Sequence, residues 1–332
     1  MSGRGKSRVF QGGFNSIRGK NGLDSFVNIV VAFGSPLLSL LSKVMSRMSL
    51  AKSLLSTTIL WMIVSQPLAA EEKYKIRFRF EPGQQLKYHS LQAVTNTAAT
   101  PRGTKEDVSK VDQTRIFTIG DVEPDGDADV SMQFEHVRME LQSNGGETIT
   151  FDSSMKSAEV PKIFQATANK LKGAASKYQL LPSGTPVSED GVEQIPKGGQ
   201  ASFMLPLPKD DVAIGDSWKV DIEVKVRIAE GIKRQVNLLR TYRLKSVENG
   251  IATIGFSTSI ASSVRNTSVR AQLIQATPQG TIEFDLNKGQ VLKRVLKVNN
   301  TVVGGLGAKT IYSSAGITVE KLVSVDSRVT KR

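Results

Sequence analysis

The sequence predicts a mainly β protein built from two tandem curved antiparallel sheets, half-barrel-like duplicated units joined by one helix of about four to five turns. Three observations predict it. Apolar and charged residues alternate at period two through most of residues 73–152 and 214–325, the signature of strands with one face on a core. Three anchors recur in the same order: Gly83 opening a strand, then the turn ending in Gly126, then Thr148-Ile149-Thr150-Phe151-Asp152; later Gly215-Asp216-Ser217-Trp218, the turn ending in Gly250, then Thr281-Ile282-Glu283-Phe284-Asp285. Their offsets of 132, 125 and 133 residues (215 − 83, 247 − 122, 281 − 148) fit an old duplication with small insertions. Between the units, one stretch has a helical period.

In the first unit, residues 71–152, Tyr74, Ile76, Phe78 and Phe80 alternate with Lys75, Arg77 and Arg79, predicting a strand that ends at Glu81-Pro82-Gly83. Residues 86–91 resume as a strand, and residues 95–107, which lack a period, read as a loop. Residues 111–119 and 129–141 complete a meander around Asp125-Gly126.

In the middle, residues 153–213, spacings of three and four from Ile163 to Ala174 predict a helix over residues 159–178, with Pro161 in its first turn. Its narrow apolar face suits packing across a sheet edge. The Pro- and Gly-rich run that follows reads as an extended linker, and Leu205-Pro206-Leu207-Pro208 as a structural approach to Trp218. In the second unit, residues 214–332, strands are expected from Trp218 to Ile228, over 233–247, 252–260, 269–274 and 280–285, and over 291–298 after a turn ending at Gly289; a last strand spans 316–325.

The first 70 residues differ in kind. Eight basic residues and one acid, Asp24, lie there, which leaves 36 basic and 30 acidic residues, or +6 of the total +13, for the body. That mild excess, without aromatics among basic runs, argues against nucleic acid as a partner. Residues 45–70 have the layout of a secretory signal: Arg47 and Lys52, an apolar run over 54–64, and Leu68-Ala69-Ala70 before a cut at Ala70-Glu71. Residues 1–44 read as an extension preceding a working start at Met45 or Met48. The expectation is an exported periplasmic or extracellular protein; the alternative is an anchor through the N-terminal apolar segments. The chain has no cysteine, which excludes disulfides, thiol catalysis and a lipidated cysteine.

Candidate chemistry is sparse. His89 and His136, the two histidines, stand on separate strands without metal-ligand spacing, so ordinary strand positions outweigh a metal role. Asp152 and Asp285 occupy matching places; an acid–base pair is weighed against each simply capping a strand and starting a turn, and the second prevails. Gly304-Gly305-Leu306-Gly307 has neither phosphate-loop nor dinucleotide context and reads as a place of bulging or close backbone approach. No catalytic residue, metal ligand or cofactor is assigned. Gly83, Gly126, Asp152, Gly215, Trp218, Gly250, Asp285 and Gly289 are structural anchors.

The Gly215-Asp216-Ser217-Trp218-Lys219 opening, the Leu-Pro-Leu-Pro approach and the Gly280-to-Asp285 closing before Gly289 resemble the DUF6263-like group of uncharacterised bacterial exported β proteins, over residues 74–325. More distantly, the pattern resembles the open barrel of envelope lipoprotein carriers. The resemblance implies a duplicated curved sheet in the cell envelope and no catalytic residues. The function expected is non-enzymatic binding of an apolar ligand such as a lipid, a peptide or an envelope protein; the alternatives are assembly through sheet edges and, less favoured, hydrolysis.

Overall fold

The computed structural model describes residues 72–171, 176–187, 205–229 and 232–327, all within one compact unit. The signal-like segment, the extension before it, most of the Pro/Gly-rich linker and Glu230-Gly231 lie outside the described residues.

The strands in chain order are β1 (Lys73–Tyr74), β2 (Gln84–Thr100), β3 (Gly103–Val122), β4 (Ala128–Ser143), β5 (Thr148–Asp152), β6 (Ser176–Leu180), β7 (Pro186–Val187), β8 (Val212–Ala213), β9 (Ser217–Ala229), β10 (Ile232–Glu248), β11 (Ile251–Ile260), β12 (Gln279–Asp285), β13 (Gln290–Val303) and β14 (Ile311–Ser327). Helix α1 is Gln165–Leu171, after a 3-10 turn at Lys162–Phe164, and α2 is Thr267–Leu273. Twelve strands form one antiparallel sheet in the order β7-β6-β4-β3-β2-β14-β13-β12-β11-β10-β9, with β5 also on β4; β1 and β8 pair separately.

This corrects the expectation of two tandem curved sheets. Gly83 and Gly215 each precede the first long strand of a three-strand run, β2–β3–β4 and β9–β10–β11, but both runs belong to the same sheet. They cross it in opposite senses relative to its middle: β2 is central and β9 is an edge. The join is the β2–β14 ladder, which runs from Ile311 opposite Ala99 to Ser327 opposite Gln84. Two separate units would each leave one of these long strands with a bare edge; pairing them satisfies both rows of backbone groups.

Other expectations also change. The four-to-five-turn helix is a 3-10 turn plus seven residues, and Tyr178 lies in β6. Only Phe164 and Ala168 are buried along it, against Phe151. Residues 95–107 are a continuous hairpin, because ladders on both sides of β2 hold its backbone where its side chains show no period. Residues 269–273, expected as a strand to 274, are helical: the Asn266 side chain accepts from the N–H of Ser268 and Val269, an N-cap whose signal outranks a short alternation compatible with either period. Residues 75–80 keep their alternation without being a sheet strand. They cross one face of the sheet as a strap, with Phe78 N–H donating to Pro182 O and Arg79 N–H to Gly289 O.

One row of paired residues fixes which face is covered: Val137, Gln113, Ser90, Glu320, Arg294, Ile282, Ile254 and Leu244 stand opposite one another across eight strands. All the covering elements pack on that face. The strap residues Ile76 and Phe78, with Leu205, Leu207 and Val212, close the main core over Leu86, Phe117, Ile254 and Phe284; α1 packs on Val137 and α2 on Ile222 and Leu238. Burying Ile76 and Phe78 contributes about 1.5–3 kcal/mol each.

Gly83, Gly126, Gly215, Gly250 and Gly289 all have positive φ and lie at the end of the sheet under the strap. At Gly289, φ is +61° and a Cβ would come within 2.4 Å of Arg79 N, the group that bonds Gly289 O. Gly289→Ala is therefore expected to destabilise the protein by about 1–3 kcal/mol, read as a lowered urea midpoint with unchanged slope.

Candidate functional site

The covered face carries a buried charge cluster at the middle of the sheet, and beside α2 the sheet is interrupted by a slot. Glu320 is 2% exposed and faces two guanidinium groups: Arg115 Nη2 donates to its Oε1 at 2.6 Å, and Arg294 Nη2 lies 3.4 Å from its Oε2. Arg240 stands nearby, its Cζ 5.4 Å from the Phe256 ring centroid and its Nε donating to Thr258 Oγ1 at 2.9 Å. Burial holds the Arg294 pKa below its ordinary value, partly offset by Glu320. The Tyr88 phenol, which donates to Val291 O at 2.8 Å, is raised by burial first and by Glu320 second. Removing one partner of such a buried pair costs about 3–5 kcal/mol, so the cluster acts as a joint between β3, β13 and β14.

The slot arises because β12 is short. Its ladders end at Gln279 opposite Ser257 on one side and Lys297 on the other. Beyond that level, residues 258–260 of β11 and 298–303 of β13 have no strand between them. The gap forms a cavity of about 340 Å³, walled by Leu273 at the end of α2 and by Ile274 just after it. Arg270 and Lys297 line it, Asn300 Nδ2 donates to Ile274 O at 2.8 Å, and no Asp or Glu is among its lining residues. Thr258, the acceptor from Arg240, is shared between slot and cluster.

The anchors stand apart from both. Trp218 stacks on Tyr242 at 5.4 Å, and its Nε1 donates to Pro206 O at 2.9 Å, holding the linker against β9. Asp285 Oδ1 accepts from the N–H of Asn287 and Lys288, each at 2.9 Å, which builds the β12–β13 turn. Asp152 Oδ1 accepts from Ser154 N and Oγ, while Oδ2 is 3.1 Å from His136 Nε2. Five strands separate β5 from β12, about 29 Å at roughly 4.8 Å per step, so the two aspartates do not meet. His89 and His136 flank Thr114 on the opposite, uncovered face, and His89 pairs with Asp112 at 2.8 Å. Among the described residues no group of three or more His, Cys, Asp or Glu is placed to hold a metal ion.

Sequence reasoning missed Arg115, Arg294 and Glu320. The signal was there in their phase: Arg115 shares alternation with the buried Phe117 and Ile119, so it is a charge on a strand's apolar face.

Fold and slot together define an antiparallel β protein whose twelve-stranded sheet is covered on one face and interrupted beside a helix. Residues 197–291 match DUF6263, a family of unknown function, which confirms the resemblance over that stretch; it contains Gly215, Trp218, Gly250, Asp285 and Gly289 but not Gly83, Gly126 or Asp152. No curated protein matches. Among solved structures, a lipovitellin described for its lipid–protein interactions is 11% identical with a TM-score of 0.45, covering 76% of this chain and 26% of that one. The chain therefore spans about a quarter of that protein's length. An outer membrane lipoprotein-sorting protein domain from Vibrio parahaemolyticus is 10% identical with a TM-score of 0.13, covering 74% and 87%. TM-scores this low carry nothing about ligand or activity.

Hydrogen bonds from Ser154 hold the Asp152 pKa down, to about 2 from an ordinary 3.8, with His136 adding to the shift. A depressed carboxylate pKa means that its contribution to stability is present above pH 3.8 and is lost as pH falls through about 2. Carbon-detected NMR titration should place the Asp152 midpoint near 2, and in Ser154→Ala it should move back toward 3.8; an unmoved midpoint would contradict the assignment.

Proposed function

We propose that the protein is a non-catalytic binding protein, exported to the cell envelope, whose slot between β11 and β13 takes an extended acidic peptide segment. The observation that carries this reading is the interrupted sheet: two facing strand edges with no strand between them, lined by Arg270 and Lys297 and by no carboxylate. An open strand edge presents N–H and C=O groups that a peptide satisfies by adding as a strand, whereas an acyl chain leaves them without partners. Arg270 and Lys297 favour acidic side chains by the same contacts that repel basic ones. Export rests on the signal-like segment at residues 45–70.

A second cavity, of about 640 Å³ at the strap end, is lined by Phe78, Phe80, Pro182 and Leu286 and supports a second reading, a small apolar ligand. Two of the three cations that line it, Arg77 and Arg79, have structural partners: Arg77 donates to the carbonyls of Pro208 and Lys209, and Arg79 to Asn287 O.

Isothermal titration calorimetry with the peptides (Glu-Val)₄ and (Lys-Val)₄ separates the readings. The acidic peptide is expected to bind, the basic one not, and Arg270→Glu/Lys297→Glu to weaken binding about tenfold or more. Equal binding of both peptides, or none of the acidic one, would refute the slot reading. A fatty acid that binds regardless of the charge reversals would favour the strap cavity.

A further inference from the structure

The slot beside α2 has one closed end and a direction. Strand β12 starts at Gln279 because of what precedes it: Pro278 has no N–H to give a ladder, and Thr277 is held by Asn300, whose Nδ2 donates to Thr277 Oγ1 at 3.0 Å. Asn300 lies on the covered face with Arg294, since no bulge interrupts β13 between them. The chain therefore enters β12 from the covered side and leaves the plane between the ends of β11 and β13 without a strand.

Both walls of the slot run the same way. Strands β11 and β13 are each antiparallel to β12, so a segment that pairs antiparallel with both must point, N to C, toward Gln279. Antiparallel bonds, perpendicular to the strands, are slightly more stable than the slanted parallel ones that the reverse direction would make. Charge separates the two directions further. Lys297 stands opposite Gln279 at the closed end, and no Asp or Glu is among the lining residues. A chain end that arrives there as a carboxylate meets an ammonium group; one that arrives as an ammonium meets a like charge with nothing to offset it.

We infer that the slot takes the free carboxyl terminus of its peptide ligand, with the terminal carboxylate at Lys297. The inference rests on the peptide reading of the slot and adds to it the end of the chain that is recognised. Continuing the β12 register, the last residue of the ligand falls opposite Thr258 and Val298, the penultimate one opposite Ser259 and Asn299, and the third opposite Ile260 and Asn300. The penultimate side chain lies on the uncovered side with Lys297, where an acidic residue fits. Its two neighbours turn to the covered side, toward Leu273, Ile274 and Val302, where short apolar residues fit. These three residues, about 10 Å of chain at roughly 3.4 Å each, are the ones flanked by a wall on both sides, so recognition is confined to them.

The test uses the full chain and one peptide in two terminal forms, N-acetyl-(Glu-Val)₄ as the free acid and as the carboxamide, compared by isothermal titration calorimetry. The acid is expected to bind at least about fivefold more tightly than the amide, and Lys297→Gln to remove most of that preference. Lys297 is exposed, so the substitution leaves the fold intact, which circular dichroism checks. Direction is read separately by NMR: Glu-Val-Glu-Val carrying a nitroxide on its amino end is expected to broaden the amides of Val302 and Val303 and to spare Gly280. Equal binding of acid and amide, with (Lys-Val)₄ still rejected, would overturn the inference and leave the slot reading standing; binding of neither would remove both. Broadening at Gly280 in place of Val303, or an acid preference undiminished in Lys297→Gln, would also overturn it.

Discussion

Glu320 sits where the two halves of the sheet join, and its carboxylate takes Arg115 from one half and Arg294 from the other. These are the ion pairs of the covered face. The remaining ones among the described residues, such as Lys87–Glu135, Arg138–Glu140 and Lys293–Glu283, lie on the uncovered face, where solvent screening leaves each with little effect on stability. The buried network is different in kind: desolvating its charges is costly, and the geometry has to repay that cost. Its contribution is best understood as registration. A slip of one residue between β2 and β14 would turn Glu320 to the outer face and strand two guanidinium groups beside the core.

From that joint the asymmetry of the molecule follows. With strands as long as Gly103–Val122, the sheet is larger than its core, and the covering segments are short and local. The strap and Leu205–Val212 segment close one end, α1 and α2 the flanks at the other. Where β12 stops short, the sheet opens beside α2, and at the far tips the aliphatic side chains have nothing over them. The slot is thus a consequence of an arrangement in which a continuous sheet is anchored at its centre and strap end and left incomplete at the other.

Local chemistry made much of this legible in the sequence. The alternation from Trp218 to Ile228 and the turn residues at Gly126, Gly250 and Gly289 each have a direct local cause, and each lies where a strand or turn is found. The Asn266 cap was equally local but was hidden by six residues whose pattern serves helix or strand. What was not legible is non-local. Nothing in residues 84–100 names residues 311–327 as their neighbour, and a repeated order of anchors is compatible with two sheets or with one. The slot was illegible for the same reason, because it depends on which strands flank the short β12.

The most direct measurement of the central claim is cross-linking across the β2–β14 ladder in this cysteine-free chain. Leu91 faces Val319 and Gln92 faces Thr318, and one of two successive antiparallel pairs is of the closely spaced kind that accommodates a disulfide. A single continuous sheet predicts that Leu91→Cys/Val319→Cys or Gln92→Cys/Thr318→Cys closes on mild oxidation while the shifted pair Gln92→Cys/Val319→Cys stays open. Failure of both register pairs to close, in folded protein, would mean that the two halves do not share a sheet.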